Sequence, residues 1–135
     1  VRYKEYFMDD AEYVVTGFGS SGRIALSAVR AARAEGIKVG LIRPVTVSPF
    51  PKEYYAGLVG KIKGLLVVEM NAGQMLEDVL AATRSQIPTE FFARLGGVVP
   101  FPDEVLDEIH RMTKETIPTD GHPRDRWLKR TLAGR

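Results

Sequence analysis

Short apolar runs of strand length recur along this chain, with a helix-length segment after most of them. Tyr13-Val-Val-Thr16, Lys38-Val-Gly-Leu-Ile42 and Leu65-Leu-Val-Val68 are continuous rather than alternating, and Pro88-Thr-Glu-Phe-Phe92 reads as a last strand. Continuous runs are the pattern of strands buried on both faces, as in a parallel sheet covered by helices. Between them, Ile24, Ala28 and Ala31 repeat at helical spacing, with Ala25, Val29 and Ala32 beside them. The same holds for Met75, Leu76, Val79 and Leu80, and for Val105, Leu106, Ile109 and Met112. Alternating strands and helices predict an α/β fold, a mostly parallel sheet with helices on both faces. The segment Arg2–Met8 reads as a further strand. No crossover helix separates it from the next, so it is free to run antiparallel.

Local signals set the boundaries. Ser20 or Ser21 is the expected N-cap of the first helix and Gly36 its stop. Pro44 ends its strand because proline cannot donate to a ladder. Pro51 opens a helix expected to reach about Lys63, with Tyr54 or Tyr55, Leu58, Val59 and Ile62 inward. Gln74 begins the next helix, to about Thr83. Pro102-Asp-Glu opens another, with proline first and acids in the first turn. From Thr116 the pattern changes. The last 25 residues hold seven Lys/Arg against three Asp/Glu. The expected organisation is therefore an α/β domain over residues 1–115 and a basic, Pro/Gly-containing tail over 116–135. That tail is either solvated and partly loose or an arm that docks Trp127 and Leu128 on a partner subunit.

Bulk properties narrow the function. A chain of 135 residues suits one domain. It has no cysteine, which removes disulfides, thiolate metal sites, iron–sulfur ligation and a cysteine nucleophile, and fits a reducing cytoplasm. His110 and His122 are its only histidines, too few for a histidine-built metal site. His110 reads as a surface residue, and nothing in the sequence fixes the geometry of His122. A net charge of +2 does not point to nucleic acid. No apolar run approaches the roughly 20 residues of a bilayer span, and residues 1–13 are too polar for a signal peptide.

Two segments are candidates for chemistry. Gly17-Phe-Gly-Ser-Ser-Gly22 follows a strand, opens a helix and matches G-x-G-x-x-G. Such a loop lets backbone amides approach a phosphate, so Gly19, Ser20, Ser21 and Gly22 are candidate anion contacts. The dinucleotide fingerprint also needs an acid at the end of the next strand, and here that strand ends Leu41-Ile42-Arg43-Pro44. Arg43 could meet a 2′-phosphate instead; otherwise the loop is a tight structural turn. Glu69 and Asn71 follow the most apolar strand, where open α/β sheets bind ligands. Glu69 is either an acid/base group, a cap of the following helix, or an ion-pair partner of Arg43. Arg43, Glu69, Asn71, Gln74 and Trp127 together are candidate strand-end or interface residues. No Walker, zincin or nucleophile-elbow motif is present.

Several segments together resemble a known family. These are Asp10-Ala-Glu-Tyr-Val-Val, Gly17-Phe-Gly-Ser-Ser-Gly-Arg-Ile-Ala, Glu35-Gly-Ile-Lys-Val-Gly-Leu-Ile-Arg-Pro-Val-Thr, Val67-Val-Glu-Met-Asn-Ala-Gly-Gln-Met and Gly96-Gly-Val-Val-Pro. Over about residues 2–112 they look like the C-terminal portion of the alpha subunit of 2-oxoacid:ferredoxin oxidoreductases of the 2-oxoisovalerate or 2-oxoglutarate type. The resemblance implies a transketolase C-terminal-type fold, a three-layer α/β/α sandwich of five strands with the first antiparallel. It implies an enzyme that oxidatively decarboxylates a 2-oxo acid to an acyl-coenzyme A and reduces ferredoxin. Thiamine diphosphate, Mg and iron–sulfur clusters would lie in the other alpha-subunit domain, the beta subunit and a ferredoxin-like subunit of an oligomer. By that resemblance this chain is a structural, subunit-interface domain, inactive alone and binding no cofactor by itself. It departs from the pattern at Gly22, where relatives often have alanine, and after Thr116. The alternatives are the closing domain of another thiamine enzyme, of transketolase or pyruvate dehydrogenase beta type, and a small nucleotide- or anion-binding regulatory domain built on Gly17–Gly22.

Overall fold

The computed structural model describes residues 3–45, 50–70, 73–94 and 100–133. In chain order the elements are β1 (Tyr3–Tyr6), β2 (Tyr13–Gly17), α1 (Ser20–Ala34), β3 (Val39–Pro44), α2 (Lys52–Ala56) and β4 (Gly64–Glu69). They continue with α3 (Gln74–Thr83), β5 (Thr89–Ala93), α4 (Pro102–Lys114) and α5 (Pro123–Ala133). The strands form one sheet in the order β1-β3-β2-β4-β5. β1 runs antiparallel to β3, with Tyr3 opposite Pro44 and Tyr6 opposite Leu41; every other pairing is parallel. The expected five-stranded α/β/α arrangement with an antiparallel first strand is what forms.

The topology follows from handedness. From β2 the chain moves outward through α1 to β3. It then crosses back through α2 to β4 on the other side of β2, and goes on through α3 to β5. Right-handed crossovers put helices on opposite faces when the direction reverses. Accordingly Ala25, Ala28, Val29 and Ala32 of α1 and Val105, Ile109 and Met112 of α4 share one core with Val15, Leu41, Leu66 and Val68. Tyr55 of α2 and Met75, Leu76 and Val79 of α3 share the other with Val14, Ile42, Leu65 and Val67. β4 is buried along its whole length, as its apolar run predicts. A buried hydroxyl chain ties α2 to the sheet: Tyr55 donates to Thr16 Oγ1 (2.6 Å), which donates to the Ile42 carbonyl (2.9 Å).

Three local expectations need correction. The N-cap of α1 is Gly19, at φ 58°, and neither serine caps the helix. α2 stops at Ala56 instead of continuing to Lys63. Beyond Gly57 the bonds become tight i→i−3 turns, Leu58 to Tyr55 and Lys61 to Leu58, and Gly60 takes φ 83°. The third concerns the segment after Thr116, where Pro123–Ala133 is a helix. Its Trp127 is only 6% exposed and lies edge-on to Phe91, with ring centroids 5.4 Å apart, inside the same core as Met75 and Val79. Trp127 is thus a core residue of its own chain, not an anchor offered to a partner; Leu128 remains exposed.

Candidate functional site

The reversal of strand order places a crevice at the carboxyl ends of β2 and β4, where open α/β sheets bind ligands. A cleft of about 330 Å³ lies there, lined by Phe18, Gly19, Ser20, Ser21, Val68, Glu69, Met70 and Met75. The sequence candidates Gly19, Ser20, Ser21 and Glu69 therefore meet. Gln74 is exposed on the first turn of α3 beside them. Asn71 lies outside the described residues.

Glu69 is 6% exposed, and both its carboxylate oxygens are engaged. The Met75 amide donates to Oε1 and the Leu76 amide to Oε2, each at 3.0 Å. The side chain at the end of β4 thus caps α3, serving two of the amides that every helix start leaves without a partner. Burial pushes its carboxyl above the ordinary value of 4.5, partly opposed by those two amides. Of the readings open for Glu69, the helix cap is the one found; its oxygens are not spent on Arg43.

Arg43 does something else. Its stem covers Gly22: a Cβ added at Gly22 would sit 2.6 Å from Arg43 Cγ and 2.7 Å from the Gly17 carbonyl. The third glycine of the loop therefore lets α1 approach both β2 and the Arg43 side chain. This is the packing role of that position in dinucleotide-binding folds, and it needs no ligand. Arg43 Nε is buried, with no hydrogen-bond partner among the described residues.

The described residues contain no group of three His, Asp or Glu side chains able to hold a metal ion. The buried carboxylate of the cleft is committed to backbone amides. These residues do not fit a thiamine diphosphate–Mg site, and with no cysteine the chain offers no thiolate to a cluster. The geometry can order the loop ends of β2 and β4, and it presents the uncapped start of α1; it assembles no acid–base pair.

Comparison with known proteins decides the family. Residues 11–105 match the family described as "Pyruvate:ferredoxin oxidoreductase core domain II". The chain belongs to it. Ketoisovalerate oxidoreductase subunit VorB of Methanothermobacter thermautotrophicus is 42% identical over 116 residues, covering 86% of this chain and 33% of the relative. 2-Oxoglutarate synthase subunit KorA of Methanothermobacter marburgensis is 36% identical over 112 residues, covering 83% of this chain and 30% of the relative. This core domain II chain thus spans about a third of the length of those subunits. A solved 2-oxoglutarate:ferredoxin oxidoreductase from Magnetococcus marinus, with 2-oxoglutarate, coenzyme A and succinyl-CoA bound, superposes with a TM-score of 0.68. The identity is 21%, over 82% of this chain and 19% of that one. At that identity the likeness shows the fold alone.

Sequence reasoning missed a second charged centre. Glu90 of β5 is 1% exposed. Three arginines converge on it, Arg111 from α4 (2.5 Å), and Arg126 (3.6 Å) and Arg130 (3.8 Å) from α5. Glu108 joins through Arg111 and Arg130. The available signal was an acid inside an otherwise apolar strand, since a buried charge requires partners. His122 is also fixed after all: its Nδ1 accepts the Arg124 amide, and its Nε2 pairs with Glu77 of α3. His110 pairs with Glu35 at the surface (2.9 Å).

Proposed function

We propose that this domain is a structural and subunit-interface part of a thiamine-diphosphate-dependent 2-oxoacid:ferredoxin oxidoreductase, working in the cytoplasm. The whole enzyme would decarboxylate a 2-oxo acid oxidatively, pass the acyl group to coenzyme A and reduce ferredoxin. Thiamine diphosphate, Mg and iron–sulfur clusters would be held by a preceding alpha-subunit domain, a beta subunit and a ferredoxin-like subunit. Family membership supports the enzyme class. The observation that carries the non-catalytic role is the commitment of both Glu69 oxygens to the start of α3, in the cleft where this fold would place a working group.

The purified chain, given thiamine diphosphate, Mg²⁺, coenzyme A, 2-oxo acids and an artificial electron acceptor, is expected to show no turnover. Co-expression with the remaining domain and subunits is expected to give an isolable complex that turns over. Turnover by the chain alone would overturn the reading. A second reading, an anion site on Gly19–Gly22, rests on the absence of a side-chain cap at the start of α1. Calorimetric titration with NAD, NADP and ATP tests it, and three null titrations would remove it.

A further inference from the structure

β5 is an edge strand, and its free edge is closed by a helix rather than by its own residues. The Leu65 amide donates to the Pro88 carbonyl, and the Arg94 amide to the Glu69 carbonyl. By the two-residue period of a strand, the even-numbered backbone groups of this segment face β4, and those of Thr89, Phe91 and Ala93 face outward. Two of these three outward carbonyls, those of Thr89 and Phe91, are met by α5. Arg126 Nη2 donates to Thr89 O at 2.6 Å, and Arg130 Nη2 makes a long contact to Phe91 O at 3.5 Å. Four residues apart on a helix, the two arginines meet acceptors two residues apart on a strand. Arg126 Nη1 also donates to the Asp120 and Gly121 carbonyls, fixing the turn that delivers α5. Between the arginines, Trp127 covers Phe91.

The opposite edge is protected differently. The Tyr13 amide donates to the Lys38 carbonyl, so Leu41 and Arg43 face β1, and their partners Tyr6 and Lys4 face inward. Tyr3 and Glu5 then face out. Antiparallel pairing of β1 with a second copy about Lys4 or Glu5 would set Lys4 against Lys4 or Glu5 against Glu5, and like charges opposite one another are unfavourable. On β5 only a register centred on Glu90 meets that obstacle. Pairing of two copies about Phe91 sets Thr89 against Ala93 and Glu90 against Phe92, with no like charges facing.

We propose that α5 is an intramolecular edge guard. By occupying the outward acceptors Thr89 O and Phe91 O it keeps the domain monomeric, and its release lets β5 pair antiparallel with β5 of a second copy about Phe91. An exposed edge of unpaired backbone groups is a template for such pairing, and in that register no like charges oppose it.

The test uses the full chain carrying Arg126→Ser, Trp127→Ser and Arg130→Ser, which leaves Glu90 paired with Arg111. A second version adds Glu90→Gln to relieve the buried charge. Light scattering gives the mass in solution, and hydrogen exchange reads the outward amides of Thr89, Phe91 and Ala93. The unaltered chain is expected at 15.0 kDa. A folded variant is expected at roughly twice that, as a two-fold dimer, with those three amides protected in the dimer and exchanging on dilution. A folded variant that stays monomeric, or a dimer in which those three exchange freely, overturns the proposal. So does loss of the circular dichroism spectrum in both versions, since α5 would then be an indispensable piece of the core.

Discussion

Glu69 spends both carboxylate oxygens on the first turn of α3, and Gly22 gives up a side chain so that α1 can close on Arg43. Replacing Glu69 with Ala strands two buried amides and should cost about 2–3 kcal/mol by urea unfolding, since hydrogen bonds to charged groups contribute about 1.5–3 kcal/mol. Glu69→Gln keeps one acceptor and should cost less. Its gap to the native chain should also depend on pH. The folded-state value lies above the unfolded one, so the contribution of Glu69 is fully present below the ordinary 4.5 and declines as pH rises through the raised value. The gap should therefore narrow upward from pH 4.5; a gap that widens would contradict the burial argument. Gly22→Ala should destabilise by about 1–3 kcal/mol, as overpacking does, because the Gly17 carbonyl is backbone and cannot step aside. Both positions were visible in the sequence, but their partners were not. Glu69 followed an apolar strand and capping was one of its open readings, whereas the contact of Arg43 with Gly22 joins residues that only the crossover brings together.

At the level of elements, the buried strands and the helices α1, α3 and α4 were legible, because continuous apolar runs and 3.6-residue stripes are direct consequences of what each face touches. α2 was over-extended because Leu58, Val59 and Ile62 continue a helical spacing that Gly57 and Gly60 interrupt. α5 was missed for a different reason. Its inward face is built from Arg126, Trp127 and Arg130, so the stripe is mostly polar in sequence although it packs on the sheet edge. Long arginine stems supply apolar cover while their heads reach carbonyls. Trp127→Ala should accordingly cost about 3–5 kcal/mol, the range for truncating a buried aromatic residue, measured by denaturant unfolding followed by circular dichroism. A cost near that of a surface substitution would show that α5 contributes little.

For the whole molecule, the sheet is clamped from both faces, and the clamp on the α2–α3 side includes the buried phenol of Tyr55 and the partly buried one of Tyr54. Burial pushes the Tyr55 hydroxyl well above its ordinary value of 10.0, against the hydrogen bond to Thr16, and pushes Tyr54 in the same direction. A raised folded-state value means that stability is fully present below pH 10 and is lost as pH rises past it, because only the unfolded chain can ionise these groups freely. Thermal midpoints should hold up to about pH 10 and then fall; Tyr55→Phe, which removes the ionisable group, should flatten that alkaline fall while costing about 1 kcal/mol for the lost hydrogen bond. The proposed interface role belongs to this scale too. A domain spanning about a third of its relatives' length is expected to express its function only with the remainder in place.

The docked position of Trp127 has a practical side. It is the only tryptophan in the chain, and it sits where α5 meets β5. Its fluorescence is therefore a single-site gauge: blue-shifted while the helix is seated, red-shifted once water reaches the indole. Seating of that one helix can be followed by light alone, without a label.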